Sequence, residues 1–384
     1  MTVPLWLDAE TPRYAPLPGD ESIDVAIVGS GVTGLACARS LALGGASVRV
    51  VEARRIGSGA SGRNGGFALR GTAVPYDRAR LPGLTRFTEE ALDRIRELAG
   101  DAFHPVGSLR VAVDEAELAD LQLEHDALAE DGFAVEWRRR EELPAAIREH
   151  AVGGLFHPPD GAFDQGRWVR KLAGLAHEAG ARLAEETRAT SLEGTTLVTD
   201  RGRVSADAVV VATDGYTAGL LDDLDEAVVS FRGQVLATEA LDERFFPCPI
   251  YARWGYDYVQ QLHDGRVVIG GRRDTDLEAE TTREERPTEL IQSRIEALLR
   301  ELVGEAPRIT HRWAGLMGYT RDFLPLVGPL PARDGVWVSA GYSGHGNVLG
   351  FACGEAVAAA ILGALDPRLA PFSPGRTPVA RPLA

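Results

Sequence analysis

A chain of 384 residues, 45% hydrophobic and 25% charged, has ordinary globular composition, and its length favours two domains over one. Its formal net charge of -15 argues against a nucleic-acid surface; it suits a cationic or neutral ligand, and its simplest consequence is solubility. Three cysteines without a CxxC pair (Cys37, Cys248 and Cys353) read as reduced thiols of a cytoplasmic protein, no basic-then-apolar leader opens the chain, and no apolar run approaches the roughly 20 residues of a membrane span.

Residues 1–22 are proline-rich and aperiodic and predict a surface lead-in. The apolar run 23–28 predicts a strand buried on both faces, followed by a helix over 32–43. In that helix Gly34 and Ala38 form a small-residue stripe for close packing on a sheet; Gly44-Gly45 stops it, and 47–51 is the next strand. A glycine-rich loop spans 53–75. Then come a helix over 83–99, a strand over 107–113, an amphipathic helix over 114–131 and a strand over 133–137. Helix 167–179 precedes short strands at 195–199 and 203–205 and a buried strand at 208–212. Residues 228–271 alternate as an antiparallel sheet, 284–303 predict a helix and 308–320 a strand. A strand–turn–helix closes the pattern at 336–363, and the proline-rich tail after Asp366 reads as disordered.

This order predicts an α/β fold with two interleaved domains. A doubly wound, Rossmann-like dinucleotide-binding domain takes residues 1–82, 151–226 and 321–384. An α+β substrate domain built on an antiparallel sheet takes 83–150 and 227–320.

Three segments carry chemistry. Gly29-Ser-Gly31-Val-Thr-Gly34 follows a buried strand and opens a helix: Gly29 makes the turn, Gly31 admits a pyrophosphate and Gly34 lets the helix pack. The helix N-terminus favours the phosphate charge, and Glu52, ending the next strand, is placed to accept ribose hydroxyls. This pattern alone does not choose between NAD and FAD. Gly57–Gly66 carries five glycines around Arg63-Asn64, either as a flexible linker or for close approach to a flat ring. Gly341-Tyr-Ser-Gly-His-Gly346 precedes the last helix, whose N-terminus would stabilise negative charge on a reduced flavin. His345 is then a base, a charge partner, or a solvent-facing ring on a backbone position. Trp254, Tyr256, Tyr258 and Gln260 alternate along a predicted strand that either lines a substrate site or is a half-buried sheet face.

Taken with Ala212-Thr-Asp-Gly-Tyr216 and Trp313-Ala-Gly-Leu-Met-Gly-Tyr-Thr-Arg-Asp322, these motifs resemble the D-amino-acid oxidase superfamily over residues 20–365. Gly59–Gly66 most resembles its gamma-glutamylputrescine oxidase branch. The resemblance implies FAD-dependent oxidation of a C–N bond of a small amine or amino acid. Hydride passes to flavin N5, water hydrolyses the imine, and O2 returns the flavin to its oxidised form with release of H2O2. It also implies that Gly29, Ser30, Gly31, Val32, Thr33 and Gly34, with Glu52, Ala53, Arg54 and Ala189, hold the ADP part. Ser61, Gly62, Arg63, Asn64, Gly65 and Gly66, with Gly341, Tyr342, Ser343, Gly344, His345, Gly346 and Asn347, hold the flavin part, and Ala212, Thr213 and Gly318 also lie at the cofactor. His345, Arg63 and Tyr258 are the candidates at the reacting centre.

Three departures from the superfamily follow. Met317 stands where some members attach flavin through a cysteine, and no histidine lies in 57–66, which implies noncovalent FAD. Val348 stands where some members pair a lysine with the substrate carboxylate, which favours amines, or amines with a distant acid group; Arg63, Arg253 and Arg321 are possible substitutes. The only lysine, Lys171, is far from any flavin motif, so an arginine or His345 assists oxygen, or another acceptor is used. The alternatives are an amine dehydrogenase serving a quinone or protein acceptor, and a non-catalytic flavin-binding subunit. No metal site emerges, and a homo-oligomer is left open.

Overall fold

A computed structural model describes residues 3–7, 13–217, 219–304 and 307–377. The buried strand Glu21–Val28 lies between two parallel neighbours, Gly202–Val211 and Val48–Val51, and Arg182–Ala184 extends the sheet beyond the latter. Val336–Ala340 joins in parallel on the far side of Gly202–Val211, with Val209 opposite Val336 and Val211 opposite Val338. The C-terminal ends of four strands thus meet at one edge. From that edge leave Gly29, Glu52, Ala212 and Gly341, which is where an open α/β sheet binds its ligand.

Small residues set how closely the helices sit. A Cβ on Gly34 would stand 2.0 Å from the Gly29 carbonyl oxygen, so helix Val32–Leu43 lies directly on the turn before it. A Cβ on Gly354 would stand 2.3 Å from the Thr33 carbonyl, so the last helix, Val348–Ile361, crosses the first with backbones nearly touching.

Among the described residues the second sheet has eight strands. From one edge they run Ile309–Tyr319, Val229–Ala240, Arg266–Gly271, Asp257–Gln261, Ile250–Ala252, Ser108–Ala112, Gly153–His157 and Glu136–Arg139. All pair antiparallel except Ile250–Ala252 with Ser108–Ala112. Alternation splits its faces. Leu109, Val111, Ile250, Val259, Ile269 and Leu236 pack under helix Glu289–Val303, while Arg110, Tyr251, Tyr258 and Val235 face the other way, into a cavity.

Several expectations are corrected. The lead-in is not a plain surface segment: Leu5 and Trp6 are buried against Val235 and Trp313, and Trp6 Nε1 donates to the Asn64 carbonyl at 2.7 Å. The tail is ordered through residue 377, with Leu369 and Phe372 buried and Arg376 paired to Asp322 at 2.8 Å; residues 378–384 lie outside the described residues. The strands expected at 203–205 and 208–212 are one, Gly202–Val211. The strand expected at 133–137 is Glu136–Arg139, because Gly132 turns the chain at φ 78° and buries Phe133 against Tyr76 instead. The helix expected from 284 begins at Glu289, since Pro287 holds the residue before it extended. Trp254 is not on a strand but in a tight turn at φ 52°, and the strand begins at Asp257.

Packing also departs from the expected domain division at two points. Helix Pro82–Ala99 buries Leu84, Phe87, Leu92 and Ile95 among the helices of the first sheet, and Gly153–His157 is an inner strand of the second.

Candidate active site

The four strand ends enclose a cavity of about 630 Å³ that runs from Thr187–Thr190 past Gly29–Thr33 to Asn347. Gly29 adopts φ 102°, and a Cβ there would meet the Ala212 carbonyl oxygen at 2.6 Å, so only glycine fits the turn. No side chain caps helix Val32–Leu43 from Gly31, and the Ser61 hydroxyl accepts from the Val32 amide at 3.0 Å. Glu52 accepts from the Ser30 amide and hydroxyl at 3.2 and 2.7 Å and from the Arg54 amide at 2.9 Å, which fixes its carboxylate on the cavity wall. A turn open to backbone approach, a helix N-terminus and an anchored acid are the three parts a dinucleotide requires, so the residues fit FAD. Ala53, Arg54, Ala189, Ala212 and Thr213 also line this cavity.

The second glycine corner is fastened by a buried carboxylate. Asp214, at φ 44°, accepts from the amides of Gly341 and Gly318, both at 2.9 Å, and from Tyr342 at 3.3 Å. Burial raises its pKa, and these amide donors oppose the rise. Gly318 and Gly341 therefore do not line either cavity; their amides are spent on Asp214. Gly34, Gly62 and Gly66 are likewise behind the wall, where a Cβ would meet the Gly29 carbonyl, the Gly57 carbonyl and Gln260 respectively.

A second cavity, of about 480 Å³, lies between this corner and the second sheet. The two share Ala60, Asn64, Met317, Gly344 and Asn347 and so form one continuous cleft. Arg63, Gly65, Tyr258, Ser343 and His345 line the second cavity; Ser61, Tyr342 and Gly346 line the first. The aromatic walls are Phe231, Tyr256, Tyr258, Tyr319 and Phe67; glycines at 270, 315 and 233 let Tyr258, Arg63 and Met317 lie flat against the sheet, where a Cβ would stand 2.5, 2.8 and 2.9 Å from them.

The three candidates for the reacting centre differ in what they have free. Tyr258 donates weakly to the Gln234 carbonyl at 3.4 Å, and burial pushes its phenol up to about 12. His345 is half-buried on the cavity wall, and desolvation of its ring, aided by the charge of Arg110, pushes its pKa down to about 4. Its Nδ1 has no hydrogen-bond partner. A neutral imidazole at neutral pH is not a cationic partner for a reduced ring. Arg63 is committed: it donates to the carbonyls of Ser58 at 2.7 Å and Ala314 at 3.0 Å and pairs with Glu285 at 3.1 Å. Arg253 is held by Asp257 and Asp274, and Lys171 donates to the Ala99 carbonyl and lines neither cavity.

Two residues escaped the sequence reading. Glu285, from the segment before helix Glu289–Val303, pairs with Arg54 at 2.5 Å and Arg63 at 3.1 Å and accepts from the Tyr216 hydroxyl, pinning that segment at the wall of the first cavity. Arg273 lines the second cavity with its guanidinium over the rings of Tyr256 at 4.5 Å and Tyr319 at 5.7 Å and donates to the Tyr319 hydroxyl at 2.9 Å. It has no carboxylate partner among the described residues. Both sit in stretches crowded with charge, where sequence gives no sign of which charge turns inward.

A family model described as FAD dependent oxidoreductase (DAO) matches residues 24–360. The probable oxidoreductase OrdL of Rhizobium meliloti is 30% identical over 395 residues, covering 93% of this chain and 88% of that protein. Gamma-glutamylputrescine oxidoreductase of Escherichia coli is 29% identical, with 92% and 88% covered. The crystal structure of glycine oxidase from Geobacillus kaustophilus superposes with a TM-score of 0.78 at 25% identity, covering 93% of this chain and 99% of that one. Together the cleft, the glycine corners and these likenesses establish that the chain belongs to the DAO family of FAD-dependent oxidoreductases.

Proposed function

We propose that the chain oxidises a C–N bond of an amine or amino acid held in the second cavity. The observation that carries this reading is the continuity of the cleft: the dinucleotide cavity opens at Asn64, Met317 and Gly344 directly into an aromatic-walled chamber. When bound, FAD supplies the two-electron acceptor, and O2 is the expected oxidant of its reduced form. The substrate carbon gives up a hydride and the nitrogen a proton, and water hydrolyses the resulting imine.

The chain's own residues bind and orient. Tyr256, Tyr258 and Tyr319 give the chamber aromatic surface against which an alkyl chain can pack. Arg273 supplies the unpaired cation that a substrate carboxylate needs, a role the sequence left to Arg63, Arg253 or Arg321. Met317 at the junction provides no nucleophile for a flavin link, in keeping with noncovalent FAD. His345 lines the chamber as a neutral imidazole and so adds no charge to it at neutral pH.

In air, an amine substrate should consume O2 and release H2O2 in equal amounts. Reduction of the flavin with no peroxide, and turnover restored by a quinone, would replace the oxidase by the dehydrogenase. That second reading draws on the position of Lys171, which leaves no lysine on either cavity wall among the described residues.

A further inference from the structure

Three consecutive carbonyls of the middle glycine loop are each held by a buried side chain. The Trp313 indole Nε1 donates to the Arg63 carbonyl at 2.8 Å, the Trp6 indole Nε1 donates to that of Asn64 at 2.7 Å, and Gln260 Nε2 donates to that of Gly65. All three donor residues are buried, and none lines either cavity. Asn64 lines both cavities and Gly65 the second. The loop therefore lies between its donors and the cleft, with these carbonyls turned to the back.

Peptide geometry fixes what the front shows. The peptide bonds here are trans, and C=O and N–H of a trans peptide point in opposite directions. Carbonyls 63 and 64 turned to the back therefore aim the amides of Asn64 and Gly65 at the cleft. Neither amide has a hydrogen-bond partner among the described residues, whereas the Gly66 amide donates to Asn64 Oδ1 at 2.7 Å. Successive N–H groups aimed the same way make a concavity that favours negative charge.

Trp6 comes to this loop from a distant segment whose place is set on three sides. Leu5 and Trp6 pack on Val235 and Trp313, which are register partners on adjacent strands. The Trp6 carbonyl accepts from Arg170 Nη1 at 2.8 Å, and a Cβ on Gly166 would stand 2.0 Å from that carbonyl oxygen. Segment Leu5–Leu7 thus lies directly on helix Gln165–Glu178. On the loop itself, a Cβ on Gly62 would stand 2.9 Å from Leu7 Cδ2. Packing alone would be served by any apolar ring; the indole adds a donor to a carbonyl whose peptide presents a free amide to the cleft.

We propose that Trp6 is a positioning residue for the flavin: with Trp313 it holds two peptide groups so that the Asn64 and Gly65 amides face the bound ring and favour its reduced form. The proposal rests on the reading of Ser61–Gly66 as a wall of the flavin site. Trp6 touches no reacting atom and acts through the peptide dipoles. A ring that has accepted a hydride carries an added electron pair, so N–H dipoles fixed in advance stabilise it more than the oxidised ring.

The test is the two-electron midpoint potential of FAD-loaded protein, read anaerobically against a dye of known potential with no amine present. Trp6→Phe keeps an aromatic ring and removes the donor. It should hold reduced flavin about tenfold less tightly relative to oxidised flavin, a potential lower by about 30 mV. Trp313→Phe should shift the potential in the same direction, and either variant suffices should the other fail to fold. Trp168→Phe controls for packing. Trp168 is fully buried, lines neither cavity, and its Nε1 has no hydrogen-bond partner, so this variant should lose stability and keep its potential. An unshifted potential in both Trp6→Phe and Trp313→Phe overturns the proposal, and so does an equal shift in Trp168→Phe. The outcome is separable from that of amine oxidation. A flavin that no amine bleaches, with the potential shifted as expected, keeps the positioning role and sinks the oxidation. Bleaching with an unshifted potential does the reverse.

Discussion

Asn64 and Asn347 exchange side-chain hydrogen bonds across 283 positions of sequence: Asn64 Nδ2 donates to Asn347 Oδ1 at 3.1 Å, and Asn347 Nδ2 donates to Asn64 Oδ1 at 3.3 Å. Asn64 also accepts from the Gly66 amide at 2.7 Å, and Asn347 donates to the Phe67 carbonyl at 2.8 Å. The pair welds the middle glycine loop to the second glycine corner where the two cavities meet. Asn64→Ala should therefore loosen the cleft where its two cavities meet and weaken FAD retention roughly tenfold, the loss of one to two net hydrogen bonds. Equilibrium dialysis of FAD measures it, and undiminished retention would show that the loops hold their places without the pair.

Glu285 ties Arg54, Arg63 and Tyr216 together. Glu285→Gln leaves two cations without their carboxylate in a region only partly open to solvent, and should lower stability by about 2 kcal/mol. A urea titration that returns the wild-type midpoint would remove the clasp from the account.

Arg273→Gln should raise KM about tenfold for amines carrying a carboxylate while leaving neutral amines within about twofold, since only the former lose an ionic partner. Equal effects on both would mean that Arg273 serves the packing of Tyr256 and Tyr319.

His345 and Asp160 give opposite pH signatures. His345 is lowered to about 4 from 6.5, so its unfolded form binds protons first; the stability tied to its neutral form is full above 6.5 and is lost as pH falls toward 4. Asp160 is raised by burial to about 6 from 3.8, so its contribution is full below 3.8 and is lost as pH rises through 6. Relative to wild type, His345→Gln should gain stability as pH drops from 6.5 to 4, and Asp160→Asn should gain it as pH climbs from 4 to 6, each by roughly 3 kcal/mol. Parallel difference profiles for the two variants would contradict these assignments.

Acid precipitation should leave the flavin in the supernatant, because Met317 occupies the junction and offers no linking thiol. Yellow protein pellets would disprove noncovalent binding.

The glycine corners were legible in sequence because their constraints are local: a buried strand, a turn that admits no Cβ and a helix are contiguous, and helix Val32–Leu43 falls at the expected residues. Glu285 and Arg273 were not legible. Their positions depend on where Pro287 delays a helix and on which arginine faces an aromatic wall, and both are settled by packing between distant segments. Burial of Leu5 and Trp6 was hidden for the same reason, since their partners Val235 and Trp313 lie more than two hundred residues away. The row Arg110, Tyr251, Tyr258 exists only through strand register, which no single segment encodes.

The most direct measurement is anaerobic mixing of the FAD-loaded protein with a panel of alkylamines, amide-bearing amines, N-methyl amino acids and D-amino acids, following the visible flavin absorbance. Bleaching by at least one class, with the imine-derived carbonyl product recovered in equal amount, is the predicted result. An unbleached flavin across the whole panel, with FAD still bound, would contradict the assignment of the aromatic cavity as a site of C–N oxidation.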